Sequence, residues 1–309
     1  MKTFFKNSAT GISPVEKWVP GSWIHVECPN EAEKTYIIEE LGIPQSFFND
    51  LEDIDERPRI EVEDGWYLIV LRIPYRTHNP KLPFSTAPVG LIFNDQVFLS
   101  LCNVQTEMIP DFIQYSIRKN INFTNNFDLV LKLILSASVW FLKYLKQINQ
   151  QIKSAENELE KSIKNDDLQT LLQIEKCLVY FSTSIRGNDI LVNRIKNIKI
   201  HSDTLDPELL MDVEIEIKQA QETTNIFSDI LSGMMDAYAS VISNNLNIIM
   251  KQLTSISIIL MIPTLIASLY GMNVPNTFQS YAWGFWIILA MSFGFSLLGV
   301  MIFFRKNWF

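Results

Sequence analysis

The sequence predicts an α+β soluble domain, a long helical stalk and two C-terminal membrane-spanning helices. Three observations carry this. Lys251 to Met272 holds no charged side chain after Lys251, and Ala282 to Phe304 holds none at all. Each run has roughly the 20 residues that a helix needs to cross a bilayer. From Asp128 onward, apolar residues recur at helical spacing with few breakers. The first 125 residues instead mix short alternating runs with turn signals, which suits a mixed or antiparallel sheet with helical cover.

Taken in order, Trp23-Ile24-His25-Val26-Glu27-Cys28 alternates and stops at Pro29, as a strand does. Asn30 with Glu33 gives a capping-box start to a helix that ends near Gly42. Ile60 to Val62 and Trp66 to Pro74 form a strand pair around Glu63-Asp64-Gly65. Val89 to Phe93 and Val97 to Leu101 form a second pair around Asn94-Asp95-Gln96. Two antiparallel helices follow, Asp128 to about Lys164 and Asp167 to about Ile200, joined at Asn165-Asp166. Gly187 interrupts the second at a cost of about 1 kcal/mol relative to alanine. Pro207, capped by Asp206, opens a third helix that runs unbroken to Met272, on the order of 100 Å. The expected division is 1–125 (α/β domain), 126–250 (helical stalk region) and 251–309 (membrane domain, spans about 251–272 and 282–304).

Composition excludes several functions. The 309 residues carry a formal charge of -8 and no basic stripe, so nucleic-acid binding is not expected. Cys28, Cys102 and Cys177 are far apart, without metal-ligand spacing, and suit a reducing compartment rather than a disulfide framework. Met1 to Trp18 has no apolar core of signal-peptide length. His25, His78 and His201 are scattered, and no nucleophile spacing or phosphate loop is present, so an enzyme is not expected. Lys251, Arg305 and Lys306 flank the spans, while the loop Asn273 to Tyr281 is uncharged. The positive-inside rule then puts both termini in the cytoplasm, with Trp283, Trp286 and Trp308 as interfacial anchors in the cell membrane.

Asn247, Met250, Thr254, Ser257, Met261, Thr264 and Ser268 recur at steps of three or four and form one face of the first span. Small polar residues of this kind can simply pack helices together. They can also line a water-filled path, since polar groups at membrane depth need a protein or water surface. Two helices cannot enclose a pore, so the second reading requires a homo-oligomer around a central axis.

Tyr270-Gly271-Met272-Asn273, placed between two spans and followed by a basic-aromatic tail, resembles the signature of the CorA family of magnesium and cobalt channels. Further likeness lies in Trp23-Ile24-His25-Val26-Glu27, in Arg57-Pro58-Arg59-Ile60-Glu61 and in Ser243 to Lys251. The resemblance implies a funnel-shaped homopentamer in which Gly271, Met272 and Asn273 form the ion filter. The Asn273 amide oxygens would receive a hydrated divalent cation. Asn247, Met250, Leu253, Met261 and Thr264 fall on family pore-lining positions. It further implies an inter-subunit regulatory site for cytosolic magnesium, formed by Asp50 and Asp212. The transported ions implied are Mg2+, with Co2+, Ni2+ or Zn2+ as further candidates.

Two features depart from the family pattern. The outer loop Val274 to Ser280 has no acid, and Asn49 stands beside Asp50 where an acid is often found. Between His201 and Met250 the chain carries nine acids and one base, Lys218, which is either a solvated face or a surface that needs bridging cations. A magnesium channel, a proton-coupled zinc transporter of the same fold and a non-conducting membrane scaffold all remain open on these residues.

Overall fold

The structure, a computed structural model, describes residues 2–8, 11–79, 82–161, 165–197, 205–273 and 281–306. It divides into two compact units, Met1–Gly233 and Met234–Phe309.

The first unit is built on a seven-stranded mixed sheet. Its strands are β1 (Lys2–Ser8), β2 (Gly11–Val15), β3 (Ser22–Glu27), β4 (Arg59–Glu63), β5 (Trp66–Arg76), β6 (Phe84–Phe93) and β7 (Phe98–Cys102), in the order β2-β1-β3-β7-β6-β5-β4. Among the described residues only β3 and β7 pair in parallel, with Ile24 opposite Leu99. The other described pairs are antiparallel, and the turn signals predict two of them, β4–β5 and β6–β7. At the β4–β5 hairpin, Asp64 and Gly65 both have positive φ, 50° and 82°, the backbone that a tight two-residue turn demands. At the β6–β7 turn, the Asn94 carboxamide oxygen accepts from the N–H groups of Gln96 and Val97, each at 2.9 Å.

Both faces of the central strands are covered. Ile24 and Val26 of β3 point into a cluster with Ile37, Phe47, Leu51, Leu68, Val70, Leu99 and Leu101. Trp23 and His25 point the other way, where Trp23 meets Phe112 and Phe123 at ring distances of 6.0 and 6.4 Å. Because β3 is buried on both sides, its burial is nearly continuous.

Helices α1 (Glu31–Thr35), α2 (Gln45–Glu52) and α3 (Met108–Lys119) complete the sheet domain. The predicted capping box is present at α1: Glu33 N donates to Asn30 Oδ1 at 2.9 Å and Asn30 N donates to Glu33 Oε2 at 3.1 Å. A π-helical turn, Tyr36–Glu40, follows, and the helical segment ends before Gly42, whose φ is 69°. Helices α4 (Asn126–Lys161) and α5 (Asn165–Lys196) form the expected hairpin. Asn165-Asp166 does not form its turn, because α5 already begins at Asn165. Helix α6 runs for 64 residues from Pro207 to Tyr270. Asp206 caps it, accepting from Glu208 N at 3.0 Å.

Several elements escape the sequence patterns. Strand β6 begins at Phe84 rather than Val89, since Pro88 lies within it opposite Arg72 and beyond the end of the β7 ladder. The Arg72 N–H and C=O go instead to the Asn188 carboxamide of α5, at 3.0 and 2.7 Å. Strand β2 contains Pro14, which is tolerated because β2 is an edge. Helix α2 is eight residues long with no side-chain cap.

In the second unit, the C-terminal part of α6 and helix α7 (Gly284–Arg305) are long and apolar enough to cross a membrane. Only 6% of the most apolar window of each is buried inside the chain.

Candidate functional site

The charge-free segment of α6 has two distinct sides. Ser255 is fully buried, and Ile259, Ile262, Pro263, Ile266 and Tyr270 are partly covered. These residues share one face, and that face meets α7. A β-carbon on Gly299 would stand 3.4 Å from Ile262 Cδ1 and 3.8 Å from Ile259 Cγ1. Small residues on both helices let them approach, with Ser292 buried on α7.

The candidate pore-lining residues lie elsewhere. Asn247, Met250, Leu253, Thr254, Met261, Thr264 and Ser268 are exposed in the chain, and Ser257 is partly so. At about 100° per residue their mean direction is roughly opposite the α7 contact. The small polar residues of the span therefore separate. Ser255, which the sequence pattern left out, belongs to helix packing, whereas Thr254, Ser257 and Thr264 are not consumed by it.

The hydroxyl geometry matters for chemistry. Thr254 Oγ1 donates to Met250 O at 2.8 Å, Ser257 Oγ to Leu253 O at 2.9 Å and Thr264 Oγ1 to Leu260 O at 3.1 Å. Each hydroxyl hydrogen is used by the helix's own carbonyls. The oxygen lone pairs stay available, and lone pairs are what a cation's first-shell water, itself a donor, requires. Pro263 lies inside the helix and leaves the Ile259 carbonyl without its usual N–H partner.

Helix α6 ends at the candidate filter. Gly271 N donates to Ala267 O at 2.8 Å and closes the last turn. A β-carbon on Gly271 would stand 3.1 Å from that same carbonyl oxygen, tighter than ordinary contact. Met272 and Asn273 follow, both exposed. The helix C-terminus places partial negative charge beside them. Residues 274–280 lie outside the described residues, and so do Asp203 and Trp308.

The candidate regulatory residues lie in the first unit. Asp50 is on α2, whose Phe47, Phe48 and Leu51 are buried against the sheet. Its carboxylate is engaged: Arg59 Nη2 donates to Asp50 Oδ2 at 2.6 Å. Asp212 is exposed on the second turn of α6, and among the described residues no ion pair or hydrogen bond joins it to Asp50. Nor, among those residues, do three or more His, Cys, Asp or Glu side chains gather as a metal site. A magnesium ion takes one or two carboxylates and keeps several waters, so Asp212 fits such an ion, while Asp50 as it stands is already held by a cation. Arg59 is a residue that sequence reasoning passed over, although it lies in the quoted Arg57 to Glu61 segment. Lys196 is another: its Nζ donates to Glu214 Oε1 of the acidic stalk at 2.7 Å.

Three further reactive groups, His25, Cys102 and Cys177, are buried and structural. His25 is buried, and desolvation lowers its pKa to about 4. Trp23 Nε1 donates to Ser100 Oγ at 2.8 Å, so the Ser100 hydrogen is free to donate to His25 Nδ1, 3.0 Å away. Burial raises the Cys102 thiol to about 12 and also raises Cys177.

Comparison with known proteins identifies the family and the fold. A family model described as CorA-like Mg2+ transporter protein matches residues 21–306. The cobalt/magnesium transport protein CorA of Methanocaldococcus jannaschii is 24% identical over 93% of this chain and 90% of its own length. That of Thermotoga maritima is 25% identical over 99% and 89%. The complete structure of the M. jannaschii CorA magnesium transporter superposes with a TM-score of 0.84 at 21% identity, covering 100% of this chain and 99% of the other. The fold, with its mixed sheet, long helix and two C-terminal apolar helices, is shared throughout, and the family is one of transporters rather than enzymes. The chain is a membrane protein and belongs to the CorA-like Mg2+ transporter family.

Proposed function

We propose that this chain is a divalent-cation channel, with magnesium as its cargo and cobalt and nickel as surrogates. It works as a homopentamer in the cell membrane with both termini in the cytoplasm. One observation carries the reading: the polar face of α6 is turned away from α7, and its hydroxyl hydrogens are bonded back into the helix. Five copies of that face around an axis give a path lined by oxygen acceptors and thioethers. The path ends at a ring of Asn273 amide oxygens.

Magnesium sheds its water reluctantly. Neutral oxygens that accept hydrogen bonds from first-shell water pass the ion without stripping it. Gly271 ends the helix where a β-carbon would crowd the Ala267 carbonyl oxygen. The membrane potential drives entry, at about 2.3 kcal/mol per charge per 100 mV.

Cytosolic magnesium closes the channel by bridging Asp50 of one subunit and Asp212 of the next, which offsets repulsion between acidic stalks. The ion supplies only charge neutralisation there. Asp212 offers a solvated carboxylate, and Asp50 offers one that it shares with Arg59.

The span offers no titratable side chain between Lys251 and Tyr270, which favours a channel over proton-coupled zinc transport. A scaffold has no use for a polar face turned away from its own second span. The test is flux into liposomes holding purified protein, with magnesium, cobalt and zinc compared, with and without a proton gradient at fixed voltage. Magnesium and cobalt flux independent of the gradient is expected. Zinc flux that collapses with the gradient would replace this reading by the transporter, and no flux by the scaffold.

A further inference from the structure

Arg59, at the first position of β4, holds three carboxylates with one guanidinium. Its Nη2 donates to Asp50 Oδ2 at 2.6 Å, its Nε to Glu61 Oε2 at 3.1 Å and its Nη1 to Glu56 Oε1. Side-chain exposure runs from 19% for Glu56 and 26% for Arg59 to 37% for Asp50 and 42% for Glu61, so the arginine is partly shielded while Asp50 stays open to an ion from solvent. Two positive charges beside one carboxylate repel each other. A divalent ion on the Asp50 carboxylate and the Arg59 Nη2 contact to Asp50 Oδ2 therefore compete.

The fork is held in place from behind. The connection from α2 to β4 is anchored by Arg72 of β5, whose Nη1 donates to the carbonyl oxygens of Ile54 and Glu56, each at 2.9 Å. Arg72 is itself fixed, since its Nη2 donates to Thr86 O at 2.8 Å and its Nε lies 3.2 Å from Ser184 Oγ of α5. Pro58 packs on Gly187 of the same helix: a β-carbon at Gly187 would stand 2.8 Å from Pro58 Cγ. This contact explains a glycine in mid-helix. The sheet and α5 together fix the segment that leads into Arg59, so the guanidinium reaches Asp50 from an ordered backbone.

We propose that Arg59 is a tethered cation that competes with the regulatory divalent ion for Asp50, and so sets the concentration at which that ion acts. The proposal rests on the reading of Asp50 as a regulatory ligand. Three carboxylates against one guanidinium leave two formal negative charges, so the cluster still attracts a divalent ion. When the ion takes Asp50, Arg59 keeps Glu56 and Glu61 and is not left unpaired. The exchange trades one Arg59 contact for the ion, and its equilibrium raises the threshold for closure. A chain without this arginine would close at lower magnesium.

The experiment uses the full-length protein in liposomes, titrated with magnesium alone. Two readouts are followed: proteolytic protection of the soluble region and magnesium flux. Arg59→Gln lowers the protection midpoint by about tenfold, the effect of removing one close opposing charge. Arg59→Lys keeps the charge, loses the fork and disturbs folding least, and its midpoint falls between the two. Asp50→Asn raises the midpoint, and adding Arg59→Gln to Asp50→Asn changes nothing further. An unchanged or raised midpoint in both Arg59→Gln and Arg59→Lys overturns the proposal. An equal shift by Arg59→Gln in the Asp50→Asn background overturns it too, because the arginine would then act elsewhere. If Asp50→Asn moves the midpoint and the Arg59 variants do not, only the competition is wrong. If no variant, and not the native chain, shows magnesium protection while flux persists, both the competition and the Asp50 gate are wrong and the channel stands.

Discussion

Gly299 of α7 lies against Ile262 of α6, where a β-carbon on the glycine would come within 3.4 Å of Ile262 Cδ1. That contact commits one side of α6 to α7 and leaves the opposite side for another partner. Gly294, by contrast, has nothing within 4 Å of its β-carbon direction. Gly299→Leu should force the seam apart and lower stability by roughly 1–3 kcal/mol, the usual cost of overpacking. Gly294→Leu should be close to neutral. Thermal unfolding in detergent, read by the fluorescence of Trp283 and Trp286, checks the difference.

A second prediction concerns assembly. In its N-terminal half, α6 buries Val213, Ile217, Ala220 and Thr224 against its own chain. Met211, Ile215, Ile226 and Ile230 line roughly the opposite side and are exposed. A helix apolar on two sides needs a second cover. Native mass measurement should give five chains, and Ile226→Glu should shift the population toward smaller species. A monomeric native protein in membranes would contradict the pentamer.

Acid should weaken the first unit through His25. Its native pKa is about 4 because burial penalises the imidazolium, against 6.5 for a free histidine. Below pH 6.5 the unfolded chain takes up a proton that the native chain refuses. Stability therefore falls as pH drops from 6.5 to about 4 and levels off below that. The span corresponds to about 3 kcal/mol at most. His25→Asn should flatten this slope in a series of melts at stepped pH.

Gating gives a further test. Asp212→Ala removes a carboxylate from the proposed bridge and should raise the magnesium concentration needed for closure by about tenfold. Asp212→Lys puts a fixed cation in its place and should reduce flux at low magnesium. Flux measured across a magnesium titration distinguishes these from a solvated-face role, in which both midpoints match the native one.

The amino-acid sequence makes the helical half of this protein easy to read. Asp206 and Pro207 start α6 where capping chemistry says they should, and the two charge-free runs become α6 and α7. Long helices repeat one signal many times over. The sheet domain is harder: β3 is legible from its run Trp23 to Glu27, but β2 carries Pro14, which reads against a strand, and the signal of α2 is only eight residues long. Pro88 hides half of β6, since only the tertiary contact of Asn188 with the Arg72 backbone makes proline acceptable there. At the site, the face carrying Thr254, Ser257 and Thr264 is legible from spacing alone. The assignment of Ser255 to packing is not, because spacing cannot say which neighbour covers a helix. Arg59 was equally out of reach, as its link to Asp50 depends on how the α2–β4 connection folds back.

Magnesium flux through the native protein and through Asn273→Ala tests the central claim most directly. Both proteins are reconstituted at equal density, with assembly verified as five chains, and loaded with a magnesium-sensitive dye. The native protein should conduct under an inside-negative potential. Asn273→Ala, which removes the ring of amide oxygens, should lose at least 90% of that flux, as expected when a site's key polar groups are deleted at about 1.4 kcal/mol or more. Equal flux in the two proteins would contradict the assignment of Asn273 as the entry site for the hydrated ion.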